Sequence, residues 1–274
     1  MPLHFTKLHG LGNSYLFVHA DRDPVDPAGL SVRLSDPRRG VGADGMIWIL
    51  PSSVADFRMR IFNADGSEAA MCGNGIRCLG KYVYDRGLTR ATELTVETRS
   101  GIRRLWLNTA GGTVTEVTVD MGEATVQPRR HLTLPGGEVV SLRPISVGNP
   151  HAVLYTETTD DFSLVRLGAA LQRHPAFPDG VNVELAHLLA PQTLRMRVFE
   201  RGSGVTSACG TGACATVAAA IADGVCKPGQ TVTVRLDGGD LAVREEPTGR
   251  LFMTGPAEEI FDGVVPLCER CLTQ

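Results

Sequence analysis

The chain has 274 residues, with 27 Lys and Arg against 30 Asp and Glu for a formal net charge of −3, and only 5% aromatic residues. That balance, with no long basic run, excludes the electrostatic footprint of a nucleic-acid binder and points to a small ligand. No segment nears the roughly 20 apolar residues that cross a bilayer, the first ten residues lack the apolar core of a signal peptide, and seven thinly spread cysteines favour reduced thiols over a disulfide framework, so a cytoplasmic protein without membrane association is expected.

Residues 3–20 are apolar-rich but interrupted by Gly10-Leu11-Gly12-Asn13, which predicts a strand, a tight turn and a second strand. Asn13 falls at the turn, where Asn is an ordinary turn former. Gly40 to Gly45 then spells G-x-G-x-x-G. A dinucleotide loop needs a strand before it and a helix after it, whereas the polar Ser35-Asp36-Pro37-Arg38-Arg39 precedes this one and the strand-like 46–50 follows, so no dinucleotide site is expected.

A strand is predicted over 57–62, and a polar turn leads from it to Cys72-Gly73-Asn74-Gly75. Ile76, Leu79 and Val83 then recur at helical spacing until Gly87, a natural left-handed stop. Strand-like runs follow at 93–98, 102–107 and 114–119, with a boundary near Met121-Gly122-Glu123. Beyond it the pattern resumes at 131–134, 139–142, 151–155, 181–185 and 194–199. The run 213–222 is small and apolar, which suits a helix buried on most sides and ended at Gly224. Strands over 231–236, 241–244 and 251–254 close the series. Cys268-x-x-Cys271 has no second pair and no His at ligand spacing, so it reads as two tail thiols rather than zinc ligands.

The two halves repeat. At an offset of 137 positions Cys72-Gly73-Asn74-Gly75 falls on Cys209-Gly210-Thr211-Gly212, Arg58-Met59-Arg60-Ile61-Phe62 on Arg195-Met196-Arg197-Val198-Phe199, and Gly87 on Gly224. Gly12-Asn13 has a counterpart in Gly148-Asn149. Each copy therefore puts a Cys at a helix start, where exposed N–H groups lower a thiol pKa and flanking glycines let the backbone approach an anion. A lone Cys before Gly reads equally as a small buried hydrophobe. Two related by duplication suit general acid–base inversion of one stereocentre, one thiolate taking a proton while the other thiol gives one, with neither cofactor nor metal.

Lys7-Leu8-His9-Gly10-Leu11-Gly12-Asn13, Phe62-Asn63-Ala64-Asp65-Gly66-Ser67-Glu68, Met71-Cys72-Gly73-Asn74-Gly75-Ile76-Arg77-Cys78, Gly148-Asn149-Pro150-His151, Glu200-Arg201-Gly202-Ser203-Gly204 and Ala208-Cys209-Gly210-Thr211-Gly212 together resemble the diaminopimelate epimerases. The resemblance spans nearly the whole chain. It implies an α+β fold of two pseudo-symmetric domains, each a curled, barrel-like mixed sheet around a central helix. These would be residues 1–120 and 121–262, with 263–274 returning to the first. It also implies a cofactor-independent enzyme of lysine and peptidoglycan biosynthesis, acting as a homodimer on a small-molecule substrate.

By the same resemblance Cys72 and Cys209 are the acid–base pair, with His151 and Glu200 beside the thiols. Asn13, Asn63, Asn149, Asn182 and Arg201 would hold the distal amino-acid end, and Gly73, Asn74, Gly210 and Thr211 the reacting end. Asn reads a zwitterion through its donor and acceptor, and Arg a carboxylate through its planar fork. Taken without the resemblance, Asn63 and Asn182 are turn residues, Glu200-Arg201 a solvated pair and His151 as readily a core histidine. Gly45, Val205 and Phe261 depart from the family's Gln, Glu and Tyr. The Gly45 and Val205 departures keep open a proline or hydroxyproline racemase, and a non-catalytic binding protein of the same fold with structural thiols is a separate alternative.

Overall fold

In the computed structural model of the protein, which describes residues 2–266, the chain forms two compact units. One takes the chain up to Val119 and again from Gly255; the other is Asp120–Thr254. Cys268 and Cys271 lie outside the described residues.

The first unit is built on a mixed sheet. Pro2–Gly10 runs antiparallel to Asn13–His19, which is parallel to Gly45–Leu50; that strand is antiparallel to Phe57–Asn63, which is parallel to Glu93–Thr98. Gly101–Ala110 and Thr113–Glu123 follow antiparallel, and Glu258–Pro266 lies antiparallel on the free side of Pro2–Gly10. In the second unit Val139–Ser146, Pro150–Tyr155, Asn182–Ala190, Thr193–Glu200, Thr231–Leu236, Gly239–Glu245 and Arg250–Pro256 repeat the same alternation of antiparallel and parallel neighbours. The duplication read from the two Cys-Gly-x-Gly starts is thus a duplication of topology.

Parallel neighbours need a crossover, because a hairpin can join only antiparallel strands. Each of these four parallel pairs has a helix between its strands: α1 (Pro27–Ser35), α2 (Gly73–Asp85), α3 (Asp161–Gln172) and α4 (Gly210–Ala222). The spacing of apolar residues predicts α2 and α4, whereas α1 and α3 are additions. Both additions have ordinary local causes. The Asp26 side chain accepts from the Gly29 N–H at 2.9 Å and Pro27 opens α1, while Asp160 caps α3 through the Ser163 N–H at 2.9 Å.

Leu30 and Leu34 of α1 pack on Leu16, Met46, Trp48 and Phe62; Leu164, Leu167 and Leu171 of α3 pack on Leu142, Leu154, Val183 and Leu185. Each such leucine, wholly buried, contributes about 1.5–3 kcal/mol relative to exposure. The opposite side of the sheet belongs to the central helix. Ile47, between Met46 and Trp48, reaches Gly75 of α2 on that side, so Gly45–Leu50 is buried at every position. A strand covered on both faces reads as an unbroken apolar run for this reason.

Both central helices are packed almost all round. In α2, Ile76, Cys78, Leu79 and Val83 are buried, and in α4 every residue from Gly212 to Ala220 is. Gly87 and Gly224 both take φ of 71°, the left-handed stops predicted for them. The strands predicted from the sequence are present, several longer than the alternation marks. Glu258–Pro266 is a further one whose side chains are mostly exposed.

Candidate active site

Each duplicated cysteine is the N-cap of its central helix. Cys72 has φ −137° and ψ 117° and its Sγ accepts the Gly75 N–H at 3.3 Å; Cys209 has φ −128° and ψ 111° and its Sγ accepts the Gly212 N–H at 3.4 Å. A sulfur takes the place of the usual capping oxygen, at the helix end that favours negative charge. Glycine fits closely three positions on. A Cβ on Gly75 would come within 2.4 Å of Ile47, and one on Gly212 within 2.9 Å of Glu184 Oε1.

In the first unit the predicted residues gather about Cys72. Asn13 Oδ1 accepts from Cys72 Sγ at 3.7 Å and from Asn74 Nδ2 at 3.3 Å, while the Asn13 amide nitrogen donates to Asp44 Oδ2 at 2.9 Å. Gly73 is buried, and its carbonyl accepts at 3.1 Å from the wholly buried guanidinium of Arg77, which pins the first turn of α2. Asn63 ends its strand in register with Gly45, itself in register with Tyr15, and donates to Ser67 Oγ at 3.0 Å.

About Cys209, in the second unit, Thr211 Oγ1 lies 3.5 Å from the sulfur and accepts from Asn149 Nδ2 at 3.3 Å. His151 sits between Asn149 and a residue that no motif marks: Nε2 is 3.0 Å from Asn149 Oδ1, and Nδ1 is 2.6 Å from Glu184 Oε1. Asn182, in register with His151, donates to the Pro150 carbonyl at 3.2 Å and accepts the Arg201 backbone N–H at 2.8 Å. Glu200 accepts from the Thr206 hydroxyl. Gly210 opens the helix. Arg201 is not gathered in: it is exposed, and its guanidinium donates to the Asp179 carbonyl at 3.1 Å.

Burial works against the helix start at Cys209. The thiol is pushed well above its usual range, by desolvation first and then by Glu200 and Glu184, while the hydrogen bonds from Thr211 and Gly212 pull the other way. The expectation that a helix start lowers both thiols is therefore corrected here, because the cost of a dehydrated thiolate exceeds the gain from the helix N–H groups. Tyr15 responds similarly near Cys72. Its hydroxyl is raised by burial first and then by Cys72.

Tyr15 and Glu184 are the neighbours that local motifs do not reveal. Tyr15 could have been found by laying Gly12-Asn13-Ser14-Tyr15 on Gly148-Asn149-Pro150-His151, which pairs it with His151. Glu184 lies in an apolar strand and is fully buried, so only the structure exposes it. Of the three departures, Gly45 leaves no room for a side chain, since a Cβ would stand 2.2 Å from the Phe62 carbonyl oxygen. Val205 is 40% exposed, and Phe261 packs edge-on against Phe5 with centroids 5.9 Å apart. Among the described residues no helix is long and apolar enough to cross a membrane, and no group of three or more His, Cys, Asp or Glu side chains is placed to hold a metal.

Two α+β units of one topology, each with a cysteine capping its central helix, place the chain in a fold shared with racemases and epimerases. It superposes with a TM-score of 0.75 on the crystal structure of a hydroxyproline epimerase from Agrobacterium vitis, at 20% identity over 97% of this chain and 93% of that one. The sequence is more specific. Residues 5–127 and 144–260 match the diaminopimelate epimerase family, and the chain belongs to it. It is 47% identical to the diaminopimelate epimerase of Parabacteroides distasonis over 96% of this chain and 98% of that protein, and 48% identical to that of Bacteroides thetaiotaomicron over 94% and 96%.

Proposed function

We propose that this chain interconverts LL- and meso-diaminopimelate by two-thiol acid–base catalysis, with Cys72 and Cys209 exchanging the α-hydrogen on opposite faces of one carbon. The observation that carries this reading is the pair of equivalent Cys N-caps, each with its sulfur on the first helical N–H groups, in a chain of this family. A thiolate on one side takes the α-proton. The electron pair left on carbon is delocalised into the substrate carboxylate, and the second thiol returns a proton to the other face. One cysteine ends protonated and the other ionised, so the reverse reaction starts from the product state with no net change in protons.

The negative charge that builds on the substrate carboxylate suits a helix N-terminus, where Gly73, Asn74, Gly210 and Thr211 offer backbone N–H groups at close approach. His151 and Glu200 stand beside the thiols, and Asn13, Asn63, Asn149, Asn182 and Arg201 read the distal ammonium and carboxylate. Arg201 has to leave the Asp179 carbonyl to do so. Neither a metal nor a cofactor takes part in the scheme. A cytoplasmic homodimer belongs to the same reading; exposed Ile260, Phe261 and Val264 on Glu258–Pro266 give the strand an apolar margin for a second copy to cover.

The test is epimerisation of diaminopimelate by the purified protein in deuterium oxide. Wild type is expected to incorporate deuterium at the α-carbon on inversion, and Cys72→Ala or Cys209→Ala to lower turnover by about 10²-fold or more. Near-normal inversion by either variant would end the two-thiol scheme. Absence of any exchange in the wild type would end the enzymatic one.

A further inference from the structure

A chain of hydrogen bonds ends at the Cys209 sulfur and begins at a buried carboxyl. Glu184 Oε1 meets His151 Nδ1 at 2.6 Å, with both side chains wholly excluded from solvent. His151 Nε2 meets Asn149 Oδ1 at 3.0 Å, Asn149 Nδ2 donates to Thr211 Oγ1 at 3.3 Å, and that hydroxyl lies 3.5 Å from Sγ. The second oxygen of Glu184 is buried and has no hydrogen-bond partner among the described residues.

The proton count follows from the partners. Asn149 uses its amide nitrogen on Thr211 and turns its oxygen to the ring, so His151 Nε2 carries a hydrogen. A bare Nδ1 facing a carboxylate oxygen at 2.6 Å would set two lone pairs against each other, so a second hydrogen lies on that line. The Glu184–His151 pair then carries no net charge. This also relieves the unpaired Oε2, since a full carboxylate charge left unsolvated is costly. Burial acts in the same direction, raising the Glu184 carboxyl above its ordinary range even against the pull of His151.

The first unit shows that the fold does not require this carboxyl. Tyr15 stands in register with Gly45 there as His151 does with Asn182 in the second unit, and two residues beyond Gly45, where Glu184 follows Asn182, stands the apolar Ile47. The two asparagines are also anchored in opposite senses. Asn13 gives its amide nitrogen to Asp44 and its oxygen to Cys72, whereas Asn149 gives its oxygen to His151 and its nitrogen to Thr211.

We infer that Glu184 is a positioning residue for proton exchange at Cys209: it shares a proton with His151, which fixes the ring, the ring fixes the Asn149 amide, and the amide fixes the Thr211 hydroxyl against the sulfur. This rests on Cys209 being one of the two acid–base groups. Among the described residues Glu184 makes no hydrogen bond to the sulfur. Beyond the charge it places near Cys209, it acts through the chain it anchors, on the second of the two thiols.

The test reads the pair directly. In wild-type protein with ¹⁵N-labelled histidine at neutral pH, Nε2 of His151 is expected to bear a proton and a strongly deshielded proton is expected on the line between Nδ1 and Glu184, whichever of the two atoms holds it. Glu184→Gln keeps the shape but not the shared proton, so that deshielded resonance is lost. In epimerisation assays Glu184→Gln is expected to lower kcat by about 10²-fold with KM within about twofold, and Glu184→Asp to recover most of the loss. Absence of that shared-proton resonance in the wild type overturns the inference without any variant, as does Glu184→Gln with kcat within about twofold of wild type. If wild type does not epimerise diaminopimelate, the function fails separately, because the resonances report the pair whatever the substrate.

Discussion

Cys78 lies in the second turn of α2 with no exposed surface, and burial pushes its thiol from 9.0 up to about 12. The raised value means that the folded state keeps a proton which the unfolded chain releases. The contribution is complete below 9.0 and is lost as pH rises from there towards 12. Unfolding free energy should therefore fall by roughly 1.4 kcal/mol per pH unit across that window from this group alone. Cys78→Ala is less stable at neutral pH, because it leaves a cavity, but it lacks this slope. Denaturant titrations of both proteins should show the gap between them closing above pH 9.0; parallel curves would mean that Cys78 ionises freely in the fold. At this scale the sequence is most informative where function repeats a motif. Cys72 and Cys209 stand out because they recur with their glycines, while Arg77 and Glu184 are buried charged side chains that composition alone would place at the surface.

Helices divide in the same way. The recurrence of Ile76, Leu79 and Val83 marks α2, and the unbroken small apolar run marks α4, because each is surrounded by sheet and carries its burial in its own composition. The outer helices bury one narrow stripe, and exposed apolar residues such as Val32, Phe162 and Val165 blur the pattern of Leu30 and Leu34, or of Leu164, Leu167 and Leu171, so the periodic signal is weak. Their necessity comes from the parallel pairing of Asn13–His19 with Gly45–Leu50 and of Pro150–Tyr155 with Asn182–Ala190, which is a long-range fact. The end of α4 supplies a test at this scale. Its C-cap, Asp223, sits at the unfavourable end of the helix dipole, yet accepts hydrogen bonds from Arg143 and, at 2.9 Å, from Arg129. Burial raises this carboxyl, but the two guanidinium groups outweigh it and hold it below its ordinary 3.8. A lowered value gives stability that is present above 3.8 and lost as pH falls below it. Asp223→Asn should thus cost about 1–3 kcal/mol at neutral pH. Thermal or denaturant unfolding should show this deficit steady down to the ordinary carboxylate range and shrinking beneath it. A variant as stable as wild type at neutral pH would show that both arginines are as well satisfied by solvent.

Considered whole, the molecule carries one plan twice and has let the two copies diverge chemically. The strand alternation, the paired crossovers and the capping thiols are shared, and the offset of 137 positions already shows the capping thiols and the strands before them in the sequence. The divergence shows partly in the sequence, where Tyr15 falls on His151, and fully in the fold. Tyr15 and Ile47 lie near Cys72 where His151 and Glu184 lie near Cys209, so one thiol has an apolar and phenolic setting and the other a carboxyl-rich one. The proposed mechanism draws both thiols from one chain, since the duplication supplies one of each per chain. This separates the proposed mechanism from one in which two chains each lend a half. Cys72→Ala and Cys209→Ala, each inactive alone, should remain inactive when mixed, even after co-refolding has randomised any dimer, because no chain in the mixture holds both thiols. Epimerisation of diaminopimelate is the readout, with wild type carried through the same refolding to show that activity is recoverable. Restoration of about a quarter of wild-type activity, the share of pooled half-sites in which an intact Cys72 would meet an intact Cys209 if pairing across chains were random, would show that the thiols are drawn from different copies and that duplication within the chain serves the fold alone.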